Sequence, residues 1–334
     1  MKVAILTPTF SHFSGIDRVA EAQAEDFVKK GHEVTVITFK STIEPKGYEI
    51  KVIGMPEKAF WQRLYRLFFF IDTKKINEGV KLLEGYDTVV SHFYPMNLIA
   101  EKAKEKYGLK YIAFNHGIGF PHLFPNLLEK SYMQMFKHFS NGSMKKADKI
   151  YSVSKFLAKE LKNETGLESM VAYNKIDKQK FHPHINGRNV RKKYGIHGEP
   201  IILFVGRLSP HKGVHLLIEA FKTIRENRGA RLLIVGKPTF DDYYKRLKEM
   251  SDRYIIFAGF VDDDELPEYY AACNVYATAS LWEGFDIPVV EAQACGKPVV
   301  AFDVCSHREV VKKGTLVKEN DIEGFASAIL RYIK

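Results

Sequence analysis

Ser280-Leu-Trp-Glu-Gly-Phe-Asp-Ile-Pro-Val-Val-Glu-Ala-Gln-Ala-Cys-Gly-Lys-Pro-Val-Val-Ala301 is the stretch whose reading decides the fold. Just before it, Asn274 to Thr278 reads as a buried strand. Within it, Gly284 and Pro288 mark a loop, and Val289 to Cys295 reads as a helix closed by Gly296. Pro298 to Phe302 follows as another strand. Strand, loop, helix and strand make one unit of a parallel α/β sheet. A proline just inside a helix start leaves neighbouring N–H groups free, and together with the helix dipole they favour a phosphate. Glu283 precedes that start and Glu291 lies in its first turn. Two carboxylates there would repel a phosphate, so they are read as accepting hydrogen bonds from neutral hydroxyls, one from a sugar and one from a ribose. The alternative is that Glu291 only favours the positive end of the helix.

Phe204-Val-Gly-Arg-Leu-Ser-Pro-His-Lys-Gly213 sets Arg207 and Lys212 on a strand-to-helix loop beside glycines, where cations can grip phosphate. A departing nucleoside diphosphate gathers negative charge, and without a metal that charge falls to arginine, lysine and helix N-termini. Two ordinary surface cations are the alternative. In Phe13-Ser-Gly-Ile-Asp17, Gly15 lets the backbone approach the same phosphates, or is a plain turn glycine. His116, in Phe114-Asn-His-Gly117, follows a predicted strand at its carboxyl end, where catalytic groups of α/β proteins lie. Asp262-Asp-Asp264 fits a D-x-D metal pattern, yet it precedes Glu265-Leu-Pro-Glu268 and reads as a helix N-terminus favoured by acidic residues. No metal is expected there.

The stretch 280–301 closely resembles the E-x7-E signature of the retaining GT-B glycosyltransferases of family 4, with Glu283 and Glu291 on the signature glutamates. Residues 204–213 resemble the same family's G-R-x4-K-G element. The resemblance implies that Glu283 contacts the transferred sugar, Glu291 the ribose, and Arg207 and Lys212 the diphosphate. It also implies that His116 contacts the sugar and that Phe260 and Val261 lie near the nucleotide base. The backbone at Phe285, Asp286 and Ile287 is expected to approach the donor. Three departures stand out: Asp286 replaces a glycine, Ser14-Gly15 with Asp17 replaces paired glycines followed by an acid, and Lys175 replaces the glycine of an N-G-V-D element. The likeness is dense from Ile201 to Phe302 and thin from 40 to 110.

A chain of 334 residues exceeds what one core usually serves, so two domains of about 150 to 180 residues are expected, 1–180 and 181–334. Strands alternate with amphipathic helices in both. Expected strands are Lys2 to Leu6, Glu33 to Phe39, Thr88 to Ser91, Tyr111 to Asn115, Lys149 to Val153 and Met170 to Tyr173, then Ile201 to Val205, Arg231 to Val235 and Ile255 to Ala258. Expected helices include Val19 to Lys30, Val214 to Glu226, Asp242 to Met250 and Ile322 to Tyr332. Asn174 to Gly198, rich in proline and glycine, reads as the interdomain linker. Both halves open with a strand and a loop carrying His and Gly, His12 with Gly15 and His211 with Gly213. The expected architecture is α/β, GT-B, with two Rossmann-like domains facing each other across a cleft. Many GT-B enzymes continue past this chain's end with a helix that returns to the first domain; here the last helix makes that return or the clamp is looser.

No apolar run approaches the ~18 residues of a membrane span, and Met1-Lys2 leads into a strand and not a signal peptide, so a cytoplasmic protein is expected. Cys273, Cys295 and Cys305 lack metal-ligand or C-x-x-C spacing and read as buried free thiols. The net charge of +10 is concentrated in the first 180 residues, with 28 Lys and Arg against 20 Asp and Glu. That suits an anionic acceptor or membrane surface. Nucleic acid is disfavoured because no helix-turn-helix, zinc-finger or RRM pattern accompanies the charge. Lys58 to Ile71 mixes aromatic and apolar residues with Arg63 and Arg66, either as a membrane-interface segment or as a helix packed inside the first domain. His122 to Lys146 is a second aromatic and basic stretch.

The expected function is metal-independent, retaining transfer of a hexose from a UDP- or GDP-hexose to a glycan, lipid-linked or small-molecule acceptor. The first half binds acceptor and the second binds donor; no other cofactor is expected. A nucleotide-sugar epimerase, a phosphorylase and a non-catalytic nucleotide-sugar-binding protein remain as alternatives. A glycoside hydrolase using Glu283 and Glu291 is less favoured, since it has no need of Arg207 and Lys212.

Overall fold

The computed structural model describes residues 1–11, 14–124 and 126–333. The chain forms two compact units: Met1–Pro121 with Asn126–Asn174, and His122–Pro125 with Lys175–Lys334.

The first unit contains β1 (Lys2–Thr7), α1 (Gly15–Lys29), β2 (Glu33–Thr38), β3 (Glu49–Val52), α2 (Ala59–Leu67), α3 (Thr73–Lys81), β4 (Thr88–Ser91), α4 (Met96–Tyr107), β5 (Lys110–Asn115), α5 (Leu127–Gly142), β6 (Lys149–Ser152), α6 (Lys155–Thr165) and β7 (Met170–Val171). Its seven strands are all parallel, in the order β3-β2-β1-β4-β5-β6-β7. Helices cover both faces, so β1 is apolar without alternation. Val3 and Ile5 enter one core cluster, while Ala4 and Leu6 enter another on the opposite face.

The second unit contains α7 (Arg188–Lys193), β8 (Ile201–Val205), α8 (Val214–Asn227), β9 (Arg231–Val235), α9 (Asp241–Glu249), β10 (Ile255–Gly259), α10 (Leu266–Ala272), β11 (Val275–Thr278), α11 (Ile287–Ala294), β12 (Val299–Phe302), α12 (His307–Val310), β13 (Gly314–Val317) and α13 (Ile322–Leu330). Six parallel strands run in the order β10-β9-β8-β11-β12-β13. Strand order reverses at β1/β4 in the first unit and at β8/β11 in the second, with successive strands added first to one side and then to the other. Ligands of open α/β sheets bind outside the strands' carboxyl ends at such a switch point.

Several expectations change. Gly15 is not in a loop but is the first residue of α1. His12 and Phe13, and with them the His12 half of the repeated loop pattern, lie outside the described residues. The expected linker, Asn174 to Gly198, is largely packed structure. It contains α7, buries Phe181, Val190 and Ile196, and holds Gly187 so close to α10 that a Cβ there would come 2.2 Å from the Ala272 nitrogen. Arg191 also donates to the Ala272 carbonyl at 3.1 Å and to Asn274 Oδ1 at 2.9 Å. Prolines and glycines marked turns, while spaced apolar side chains among the charges did the packing.

β3, β13 and α12 are elements the sequence reading lacked. Cys273 and Cys295 are buried, but Cys305 is half-buried and adopts φ +48°. α13 packs Phe325, Ala326 and Ile329 into the second unit's own core beside residues of α8. Among the described residues no helix is long and apolar enough to cross a membrane.

Candidate active site

The carboxyl ends of β8 and β11 supply most of the expected donor-binding residues. After β8 the chain passes exposed Arg207, turns through Pro210–Lys212 and enters α8 at Gly213. Gly213 has φ +61°, and a Cβ would lie 1.9 Å from the Ala279 carbonyl oxygen, so glycine is required for the two loops to meet. They are joined there: Leu281 N–H donates to the His211 carbonyl at 2.8 Å, and Lys212 Nζ donates to Glu283 Oε1 at 2.5 Å.

Glu283 is buried. Burial and then the charge of Asp286 push its pKa up, while Lys212 and His307 oppose the rise. The Ser306 hydroxyl donates to the Glu283 carbonyl at 3.0 Å and fixes its backbone. Phe285 is buried and Ile287 is half-buried. Ile287 opens α11, with Pro288 in the first turn.

Asp286 occupies the position before that helix with φ +66° and ψ +71°, the left-handed conformation. This accounts for its standing where the family carries glycine, because aspartate is among the few other residues that visit the region. Its side chain makes no capping bond. Instead Asp286 Oδ2 lies 3.0 Å from His307 Nε2, and His307 Nδ1 lies 2.7 Å from the Phe302 carbonyl. The carboxylate that departs from the family's glycine is thus engaged inside the protein.

Glu291, in α11, is fully buried and accepts from Tyr270 Oη at 2.7 Å. Phe260 and Val261 follow β10 at the sheet edge, two strands away from β8. They are not part of the β8/β11 group. Phe260 is exposed, with Lys237 Nζ 4.4 Å from its ring centre, and Val261 is buried.

In the first unit, His116 stands beyond β5, where Asn115 Oδ1 accepts from Gly117 N–H at 3.0 Å and Asn115 Nδ2 donates to Ser152 Oγ at 3.1 Å. Its Nε2 lies 3.0 Å from Nδ1 of His92, beyond the adjacent strand β4. Both rings are buried. Burial lowers His116 to about 3, and burial together with the neighbouring His116, which disfavours a second proton on the pair, holds His92 well below the ordinary histidine range, so the pair is neutral near pH 7. Asp17, in the first turn of α1, accepts from Thr9 Oγ1 at 2.9 Å and from both the N–H and hydroxyl of Ser11 at 3.0 Å. It thereby ties the loop before Gly15 to the helix.

Asp262-Asp-Asp264 behaves as a surface acidic run: Lys180 Nζ bonds Asp264 at 2.8 Å and approaches Asp263 at 3.4 Å. Among the described residues, Glu283, Asp286 and His307 are the one group of three side chains with ligand atoms close enough for a cation, within 4.8 Å of one another. Those atoms already bond Lys212 and each other, which makes the group an ion-pair network.

His92, Tyr270 and His307 were missed by sequence reasoning. Only His92 left a signal, a histidine directly after a strand.

Residues 13–180, half of the chain, match the family model described as Glycosyltransferase Family 4, and residues 186–334 match that described as Glycosyl transferases group 1. An uncharacterized glycosyltransferase of Methanocaldococcus jannaschii is 27% identical over 330 residues, covering 93% of this chain and 83% of that protein. The UDP-Gal:alpha-D-GlcNAc-diphosphoundecaprenol alpha-1,3-galactosyltransferase of Escherichia coli is 27% identical over 278 residues, covering 78% and 70%. Among solved structures, Anabaena HepE in complex with UDP and glucose superposes with a TM-score of 0.82 at 20% identity, covering 100% of this chain and 90% of that one. The fold is that of the GT-B enzymes, and the chain belongs to Glycosyltransferase Family 4 as a hexosyltransferase.

Proposed function

We propose that the chain moves a hexose, with retained anomeric configuration and without a metal, from a UDP- or GDP-hexose to a glycan, lipid-linked or small-molecule acceptor. The observation that carries this reading is the largely buried Lys212–Glu283 pair joining the loops of β8 and β11, with the N-terminus of α11 directly after it. A cation, a carboxylate and a helix N-terminus at one switch point offer a diphosphate and a sugar hydroxyl different partners.

On donor binding, Lys212 turns from Glu283 to the diphosphate, and Glu283 accepts from a sugar hydroxyl. The bond from the anomeric carbon to the diphosphate oxygen breaks, and the acceptor oxygen bonds that carbon on the same face. A diphosphate oxygen takes the acceptor's proton. Arg207 and Lys212 stabilise the charge left behind.

His116, held neutral, hydrogen-bonds the transferred sugar, and Glu291 accepts from the ribose once donor binding opens a path to it. Gly15 brings the first turn of α1 toward the phosphates, the backbone of Phe285, Asp286 and Ile287 lines the donor, and Phe260 and Val261 flank the base. Residues 1–180 serve the acceptor and 181–334 the donor. UDP-Gal in the name of the Escherichia coli relative and UDP in the HepE complex favour trying uridine donors first. A thermal-shift screen of UDP, GDP, UDP-hexoses and GDP-hexoses tests the donor class, because a ligand of the folded state raises Tm. Incubating donor without acceptor separates this reading from an epimerase, which would convert the sugar.

A lipid-linked acceptor at an anionic membrane is favoured by one surface. Phe60, Trp61 and Ile71, around α2, and Leu127 and Leu128, at the start of α5, are 64%, 55%, 67%, 79% and 84% exposed. Arg63 and Glu129 pair the two helices, and Phe70, just after α2, packs its ring against Phe139 of α5. Large apolar side chains on a basic half of the chain suit an interface with anionic lipid.

A further inference from the structure

The buried contact between Asp286 and His307 has a hydrogen requirement that fixes its charge state. The Phe302 carbonyl can only accept, so His307 Nδ1, 2.7 Å away, carries a hydrogen. A carboxylate oxygen also only accepts, and Asp286 Oδ2 is 3.0 Å from Nε2, so a second proton lies between them. The surroundings place it on the ring. Glu283 and Asp286, before and at the start of α11, both present negative charge to His307, and Asp303, after β12, senses its positive charge. Burial alone lowers the ring's pKa, but the Asp286 bond and the charges of Asp286 and Glu283 outweigh it and hold the pKa above the ordinary histidine value. Lys212 bonds Glu283 and sets its positive charge beside that carboxylate.

The backbone shows what this pair holds in place. Asp286 is non-glycine at φ +66°, a conformation that persists only when its surroundings enforce it. It is the residue before α11, three positions beyond Glu283, and its side chain is turned away from the helix it precedes. The imidazole of a neighbouring helix, α12, takes that side chain instead, and the ring is itself anchored to the end of β12. Strain at the loop is thus tied to two elements of the fold.

We propose that His307, carrying both ring protons, is a positioning residue for the nucleotide-sugar donor: it clamps Asp286 in the left-handed conformation and so aims the N-terminus of α11 and the Glu283 carboxylate. This rests on the reading of Glu283 and α11 as donor-binding groups. When rising pH removes the second proton, a nitrogen lone pair faces a carboxylate across 3.0 Å, the clamp loosens and donor affinity falls. An asparagine at 286 tolerates the same backbone and can donate its amide hydrogen to a bare Nε2, so it satisfies the neutral ring.

Two measurements on the full chain test this. Long-range 1H–15N spectra at pH 7, with the His307 signals assigned by their loss in His307→Gln, should show both ring nitrogens protonated. UDP and GDP affinities measured by calorimetry from pH 6 to 9 should weaken about tenfold in the wild type as His307 titrates, and Asp286→Asn should flatten that profile. A ring with a bare Nε2 at pH 7, or an equally steep profile in Asp286→Asn, overturns the proposal. The ring spectrum needs no nucleotide. Failure of the wild type to bind either nucleotide would therefore count against the donor reading, while the spectrum still decides the clamp.

Discussion

Lys212 and Glu283, 71 residues apart in sequence, form an ion pair whose side chains are only 15% and 7% exposed. A buried pair costs desolvation on both partners, and removing one partner leaves the other charged and unpaired. Lys212→Met should therefore destabilise the second unit by ~3 kcal/mol. Adding Glu283→Gln should recover most of that loss while transfer stays abolished. Denaturant unfolding of the two singles and the double measures the coupling; strictly additive losses would show the pair is not the interaction described.

Asp286 allows a backbone prediction separate from its charge. Alanine at φ +66° carries the left-handed penalty of about 1 kcal/mol or more, whereas glycine does not. Both substitutions lose the His307 contact equally. Asp286→Gly should thus melt higher than Asp286→Ala, and equal Tm values would mean that the left-handed conformation is not adopted.

Asp17 makes stability pH-dependent in the first unit. Burial raises its pKa from 3.8 to about 7, against the hydrogen bonds from Thr9, Ser11 and Thr7. With the folded value above the unfolded one, the contribution is fully present below about pH 4 and is lost as pH rises through about 7. Asp17→Asn should remove this slope. Urea midpoints compared at pH 5 and pH 8 should fall less in the variant than in the wild type.

The exposed ridge gives a surface prediction. Vesicles containing anionic lipid should carry the protein to the top of a flotation gradient, and Trp61→Glu with Leu128→Glu should cut the floated fraction several-fold without changing Tm. Equal recovery with neutral and anionic vesicles would remove the charge argument, and no flotation at all would remove the membrane contact.

The sheets were legible because buried parallel strands such as Ile201–Val205 and Arg231–Val235 are short, continuous apolar runs between turn residues. β3, Glu-Ile-Lys-Val, and β13, Gly-Thr-Leu-Val, were not, since each edge strand is partly exposed and only four residues long. At the site, Glu283, Lys212 and Arg207 could be picked out because local loop and helix signals surround them. His307 and His92 act through partners 21 and 24 positions away, and no local spacing encodes such a contact. Asp286 looked like a departure in composition. Only its φ reveals that it meets the same backbone demand as glycine.

The most direct test is release of nucleoside diphosphate from a UDP- or GDP-hexose in the presence of acceptor, compared among wild type, Lys212→Ala and Glu283→Ala, each checked for folding by circular dichroism. The account predicts turnover by the wild type and a loss of at least about a hundredfold in either folded variant. Wild-type-like release in a folded Lys212→Ala or Glu283→Ala would contradict it.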